Sequence, residues 1–191
     1  SGNSDNVLIS IKPGERFQYE FDISADHPAG TFWYHPHQHG AGVVQVGSGM
    51  AGPLIVAGDR KPTTTTPGDI DILLSDERGP FPERVLLFQQ IHYGCLDAEG
   101  QPKGDMTDGD YVRPWVCEPG EIGRLESPDQ DWDWRFSGRY TGINGQVQPS
   151  LDGATAGRFE RWRLILSSAH EPVRMRLYRL AEDAPDLRMV G

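Results

Sequence analysis

Glycine and proline punctuate this chain too densely to suit long helices: 23 Gly and 15 Pro fall among 191 residues, and both are costly inside a helix. With a hydrophobic content of 37%, the composition fits a loop-rich β protein. The patterning agrees. Phe17, Tyr19, Phe21 and Ile23 alternate with Gln18, Glu20 and Asp22, as expected of a half-buried antiparallel strand. Val173, Met175 and Leu177 alternate with Arg174, Arg176 and Tyr178 in the same way. Trp162, Leu164 and Leu166 are expected to supply another inward face, and Val85-Leu86-Leu87-Phe88 is short enough for a fully buried strand. Helical signal is thin, one turn around residues 43–47.

The formal net charge of -10 argues against nucleic acid, whose phosphates need patches of Lys and Arg. No apolar run is long enough to span a membrane, and no signal peptide is present. The first residue is Ser1 rather than an initiator Met, so an upstream segment is expected. Two cysteines, Cys95 and Cys117, are too few for a disulfide scaffold. The residues alone leave one bridge or two thiols equally open.

Arg60-Lys-Pro-Thr-Thr-Thr-Thr-Pro-Gly68 has no apolar periodicity and reads as a linker. The expected organisation is residues 1–60 as the end of one domain, 61–68 as linker and 69–191 as a second domain. Residues 97–134 form a long loop region rich in Asp, Gly and Pro. Its Trp132 and Trp134 suit anchors onto a sandwich better than ligand contacts.

Chemistry concentrates at His35-Pro36-His37-Gln38-His39-Gly40, which holds three of the six histidines. In an extended chain, positions i and i+2 face the same way, so a strand end presents two imidazoles to one space. Imidazole suits copper, zinc, iron and nickel, and Pro36 places the segment at an edge, a bulge or a strand end. The glycines at 40, 42, 47, 49 and 52 allow tight turns and close approach. His27, beside Pro28, reads as loop; His92 as structural; His170 as solvated.

Gly30-Thr-Phe-Trp-Tyr-His-Pro-His-Gln-His-Gly40, then Gln45, Gly49-Met-Ala-Gly52 and Leu54-Ile-Val56, resembles the second His-x-His motif in the first domain of multicopper oxidases, the family of laccases and periplasmic copper-efflux oxidases. Residues 2–7 and 11–21 resemble the preceding turn and strands. Thr141-Gly-Ile-Asn-Gly-Gln-Val147 and Glu160-Arg-Trp-Arg-Leu164 resemble phrases of the family's middle domain.

The resemblance implies an all-β fold of cupredoxin-like Greek-key sandwich domains, the first of them incomplete here. It implies copper as cofactor, in a trinuclear cluster and a blue site. It also implies one-electron oxidation of a small reducing substrate or metal ion, coupled to reduction of dioxygen to water. By motif position, His35 and His37 would each ligate one copper of the cluster's binuclear pair. His39, Gln38 and Gln45 are candidates to orient those imidazoles. Asp5 is placed like an acid that relays protons to oxygen; an Asx turn explains it equally well.

Neither an earlier His-x-His-Gly motif nor a His-Cys-His segment occurs in this sequence. The chain is therefore expected to be an internal part of a longer oxidase, inactive alone and partnered by the remaining cupredoxin domains. The family implies a periplasmic or secreted location, which favours a Cys95–Cys117 bridge. A non-catalytic copper- or zinc-binding module and a copper nitrite reductase are the competing readings.

Overall fold

Val85-Leu86-Leu87-Phe88 is the apolar centre of the molecule, as a continuous hydrophobic run bounded by polar residues predicts. The computed structural model describes residues 5–103, 116–125, 134, 139–168 and 172–176. In chain order the elements are β1 (Gly30–Tyr34), α1 (Gly42–Gly47), β2 (Gly52–Val56), α2 (Ile70–Leu73), β3 (Ser75–Asp76) and β4 (Gly79–Pro80). There follow β5 (Glu83–Gln90), β6 (Tyr93–Leu96), β7 (Pro102–Lys103), β8 (Ile122–Leu125), β9 (Thr141–Ile143), β10 (Gln146–Val147) and β11 (Arg161–Ser167). Strands dominate, and both helices are short. No described helix is long and apolar enough to cross a membrane.

The main sheet has the order β10-β9-β5-β11. β5 runs antiparallel to β9, with Phe88 opposite Ile143, and parallel to β11, with Leu86 opposite Leu164. A parallel neighbour so distant in sequence requires a long crossover, here the whole stretch carrying β6 to β10. Leu86, Leu87, Phe88 and Ile165 are buried, each worth about 1.5–3 kcal/mol relative to exposure.

Asn144 and Gly145 close the β9–β10 hairpin with φ of 51° and 77°, the two-residue turn that Asn-Gly favours. The Asn144 side chain then enters the β5 backbone. Leu87 N donates to its Oδ1 at 2.8 Å, and its Nδ2 donates to Val85 O at 2.9 Å. One residue thus sets both the turn and its register on the central strand.

Trp162, Leu164 and Leu166 do not form the inward face of β11. Arg163, Ile165 and Ser167 do, at 4%, 5% and 0% exposure, while Leu164 is 50% exposed. The phase is set by an ion cluster around the buried Arg163. Arg163 donates from Nη2 to Asp71 Oδ1 (2.6 Å), from Nε to Glu83 Oε2 (2.9 Å) and from Nη1 to Thr31 Oγ1 (3.0 Å). Arg161 Nη1 reaches the same two carboxylates at 2.6 and 2.8 Å, and Asp71 Oδ2 accepts Gly58 N at 3.0 Å. Burial of a charge is tolerated when it is paired and fully hydrogen-bonded. The cluster also ties β1 and the chain after β2 to the main sheet.

Burial pushes the Asp71 carboxyl up, but hydrogen bonds from Arg161 and Arg163 outweigh it and hold the group below its usual range. The hydrogen bond from Arg163 does the same for Glu83 against a smaller burial effect.

Two expected strands differ. Residues 17–23 are extended, with Phe17 and Tyr19 ring centroids 4.8 Å apart, but they pair with no strand among the described residues, and their apolar side chains stay exposed. Alternation supplies a face, and a strand also needs a neighbour. Residues 172–176 likewise form no strand; Leu177 and Tyr178 lie outside the described residues.

The proline-flanked linker is a closed loop. Arg60 and Asp69 meet backbone to backbone at 2.8 Å, and the Arg60 guanidinium grips the Asp69 carboxylate. Cys95 and Cys117 are bridged, with Cα atoms 5.3 Å apart. The bond joins β6 to the segment entering β8. Trp134 is buried, and its Nε1 donates to Thr141 Oγ1 at 3.1 Å, so it anchors its loop as expected. Trp132 and His170 lie outside the described residues.

Candidate metal centre

β1 carries the aromatic run Gly30-Thr-Phe-Trp-Tyr34 and pairs antiparallel with β2, Gly30 opposite Val56 and Tyr34 opposite Gly52. Gly52 lets the Tyr34 ring lie across β2, because a Cβ there would displace the ring. The strand ends at His35, where Pro36 withdraws the backbone donor that a ladder would use.

The two imidazoles then stand side by side, ring centroids 5.9 Å apart, as the i, i+2 spacing predicts. His35 stacks on Trp33, two residues earlier on the same side, at 4.3 Å. Its Nδ1 donates to Pro36 O at 3.1 Å. His37 Nδ1 lies 2.6 Å from Asp5 Oδ1. Since a carbonyl and a carboxylate only accept, both rings carry a proton on Nδ1, the arrangement that leaves Nε2 as the nitrogen available to a metal. Both rings are exposed. This tautomer, enforced by an oxygen partner, is the one seen in ligating histidines generally.

Asp5 therefore has a defined partner. The Asx turn foreseen at this place belongs to its neighbour, since Asn6 Oδ1 accepts Leu8 N at 3.0 Å. His39 is fastened through its backbone, N to Val7 O at 2.9 Å, and its ring is exposed. Gln38 contributes its carbonyl, which accepts Ala41 N and Gly42 N at 3.1 and 3.0 Å and so starts α1. Gln45 lies on α1 with its Oε1 buried and without a hydrogen-bond partner; no distance brings it to either imidazole.

His27 sits in a turn, its Nδ1 donating to Pro28 O at 2.9 Å. His92 is buried between Gly47 and Trp134, in keeping with a structural role. Among the described residues, Cys95, Cys117 and Glu121 also gather their ligand atoms within 4.8 Å. Those sulfurs are bonded to each other and offer no thiolate. Trp33 was missed by sequence reasoning; its place two residues before His35 on one strand face was the available signal.

The arrangement is a pair of borderline nitrogen donors on an all-β, cupredoxin-like framework, a donor set suited to copper. Residues 2–61, the histidine-bearing segment, match the profile of the multicopper oxidase family. No solved structure matches the chain.

Proposed function

We propose that this chain supplies His35 and His37 as ligands to two coppers of a trinuclear cluster, in an exported, laccase-like oxidase that reduces dioxygen to water. The carrying observation is the pair of anchored rings: each Nδ1 is committed to an oxygen, and each Nε2 remains for a metal. When bound, the cluster supplies the four-electron chemistry, fed by a small reducing substrate or metal ion through a blue site elsewhere in the protein.

The chain's own residues orient the two rings. Pro36 O and Asp5 fix the tautomers. Trp33 covers one face of the His35 ring and limits its rotation. The Asp5 carboxylate is 72% exposed, so one oxygen can hold His37 while the other faces water. Two nitrogens do not complete a copper site, so further ligands come from the remaining cupredoxin domains. The Cys95–Cys117 bridge supports an oxidising compartment.

The test uses the full-length oxidase. Replacing His35 or His37 by Ala should deplete cluster copper and abolish oxygen consumption while the blue absorption stays. Normal copper content and normal oxygen consumption in either variant would reject the assignment.

A further inference from the structure

α1 is gripped by the end of β5 and the turn that follows it. Gln89 donates from Nε2 to Gly49 O at 3.0 Å, and His92 N donates to Gly47 O at 3.0 Å. Between them Ile91 packs so close that a Cβ on Gly49 would stand 2.9 Å from its Cδ1, and Gly49 has φ of +88°. At the opposite end of α1, Gln38 O receives Ala41 N and Gly42 N. Residues 35–39 therefore hang between β1 and a six-residue helix. A helix that short holds no fixed orientation unaided. Its attitude comes from the end of β5 and the turn after it.

We propose that Gln89 is a positioning residue for the histidine loop, acting through Gly49 and α1 on where His35 and His37 present Nε2. The inference rests on the reading of those histidines as ligands. Gln89 touches neither imidazole. It holds the far end of the helix into which their loop runs, so its loss should loosen metal binding without unfolding the sheet.

The experiment titrates copper into the copper-depleted full-length oxidase and records affinity, the absorption spectrum and the melting temperature. Four proteins are compared: wild type, Gln89→Met, His37→Ala and Glu160→Gln. Gln89→Met keeps the side-chain volume and removes the donor. Glu160→Gln weakens a pair with Arg84 and serves as the purely structural control. The expected result is loss of the site in His37→Ala and about three- to tenfold weaker binding with an altered spectrum in Gln89→Met. Glu160→Gln should melt lower with copper binding unchanged. Wild-type affinity and spectrum in Gln89→Met, beside a clear loss in His37→Ala, would overturn the positioning role alone. An equal loss in Glu160→Gln would also overturn it, by showing that any destabilisation suffices. Unchanged binding in His37→Ala would remove the ligand reading and the positioning role with it.

Discussion

Asp5 Oδ1 lies 2.6 Å from His37 Nδ1, a contact between residues 32 positions apart. It converts a sequence motif into a donor of defined direction, because the carboxylate holds the proton on Nδ1 and leaves Nε2 facing outward. It also makes the imidazole a stronger base toward a metal. Removing the carboxylate should show at the metal before it shows in the fold. Asp5→Ala is expected to weaken Cu(II) binding by about 10–100-fold, measured by calorimetric titration, with the melting temperature nearly unchanged because both side chains are exposed.

Asn144 should behave oppositely, mattering to stability and leaving copper alone. Asn144→Ala strips partners from Leu87 N and Val85 O and places a less suitable residue at φ of 51°. The expected cost is about 1–3 kcal/mol, read from denaturant unfolding. A variant as stable as wild type would deny the side chain its role in registering β9 on β5.

Acid should weaken the molecule through its paired carboxylates. The Glu160 carboxyl is drawn from the ordinary 4.5 down to about 2, first by the hydrogen bond from Arg84 and then by that from Trp162. Asp71 and Glu83 are lowered as well. A depressed folded-state pKa gives stability that is present above the unfolded value and lost as pH falls toward the folded one. The melting temperature should therefore fall as pH drops from 4.5 toward 2, and Glu160→Gln should flatten that fall. An identical pH profile in the variant would contradict this.

The Cys95–Cys117 bond spans 22 positions, and a closed loop of that length is worth about 3 kcal/mol by the chain-entropy account. Cys117→Ser should lower stability by about that amount in denaturant unfolding under oxidising conditions. No difference from wild type would mean that the loop is held by other contacts.

How much of this was legible in the sequence depended on whether a residue's neighbours were local. The β5 run announced itself because four consecutive apolar residues need burial whatever surrounds them. The histidine pair was legible because strand geometry alone puts i and i+2 on one side. β11 was misread because Arg163 looks like an outward residue until Asp71 and Glu83 arrive from 92 and 80 positions away. Residues 17–23 carry a strand's pattern without a strand partner among the described residues, which no local pattern reveals. Asp5 and Asn6 are adjacent and chemically alike, and only the fold assigns the turn to one and the histidine to the other.

The most direct test of the account is an anomalous-difference map at the copper edge, from crystals of the copper-loaded full-length oxidase. The account predicts two separate copper peaks, one bonded to Nε2 of His35 and the other to Nε2 of His37, with Asp5 still on His37 Nδ1. Copper peaks that involve neither nitrogen, or metal bound through Nδ1 with Asp5 displaced, would contradict it.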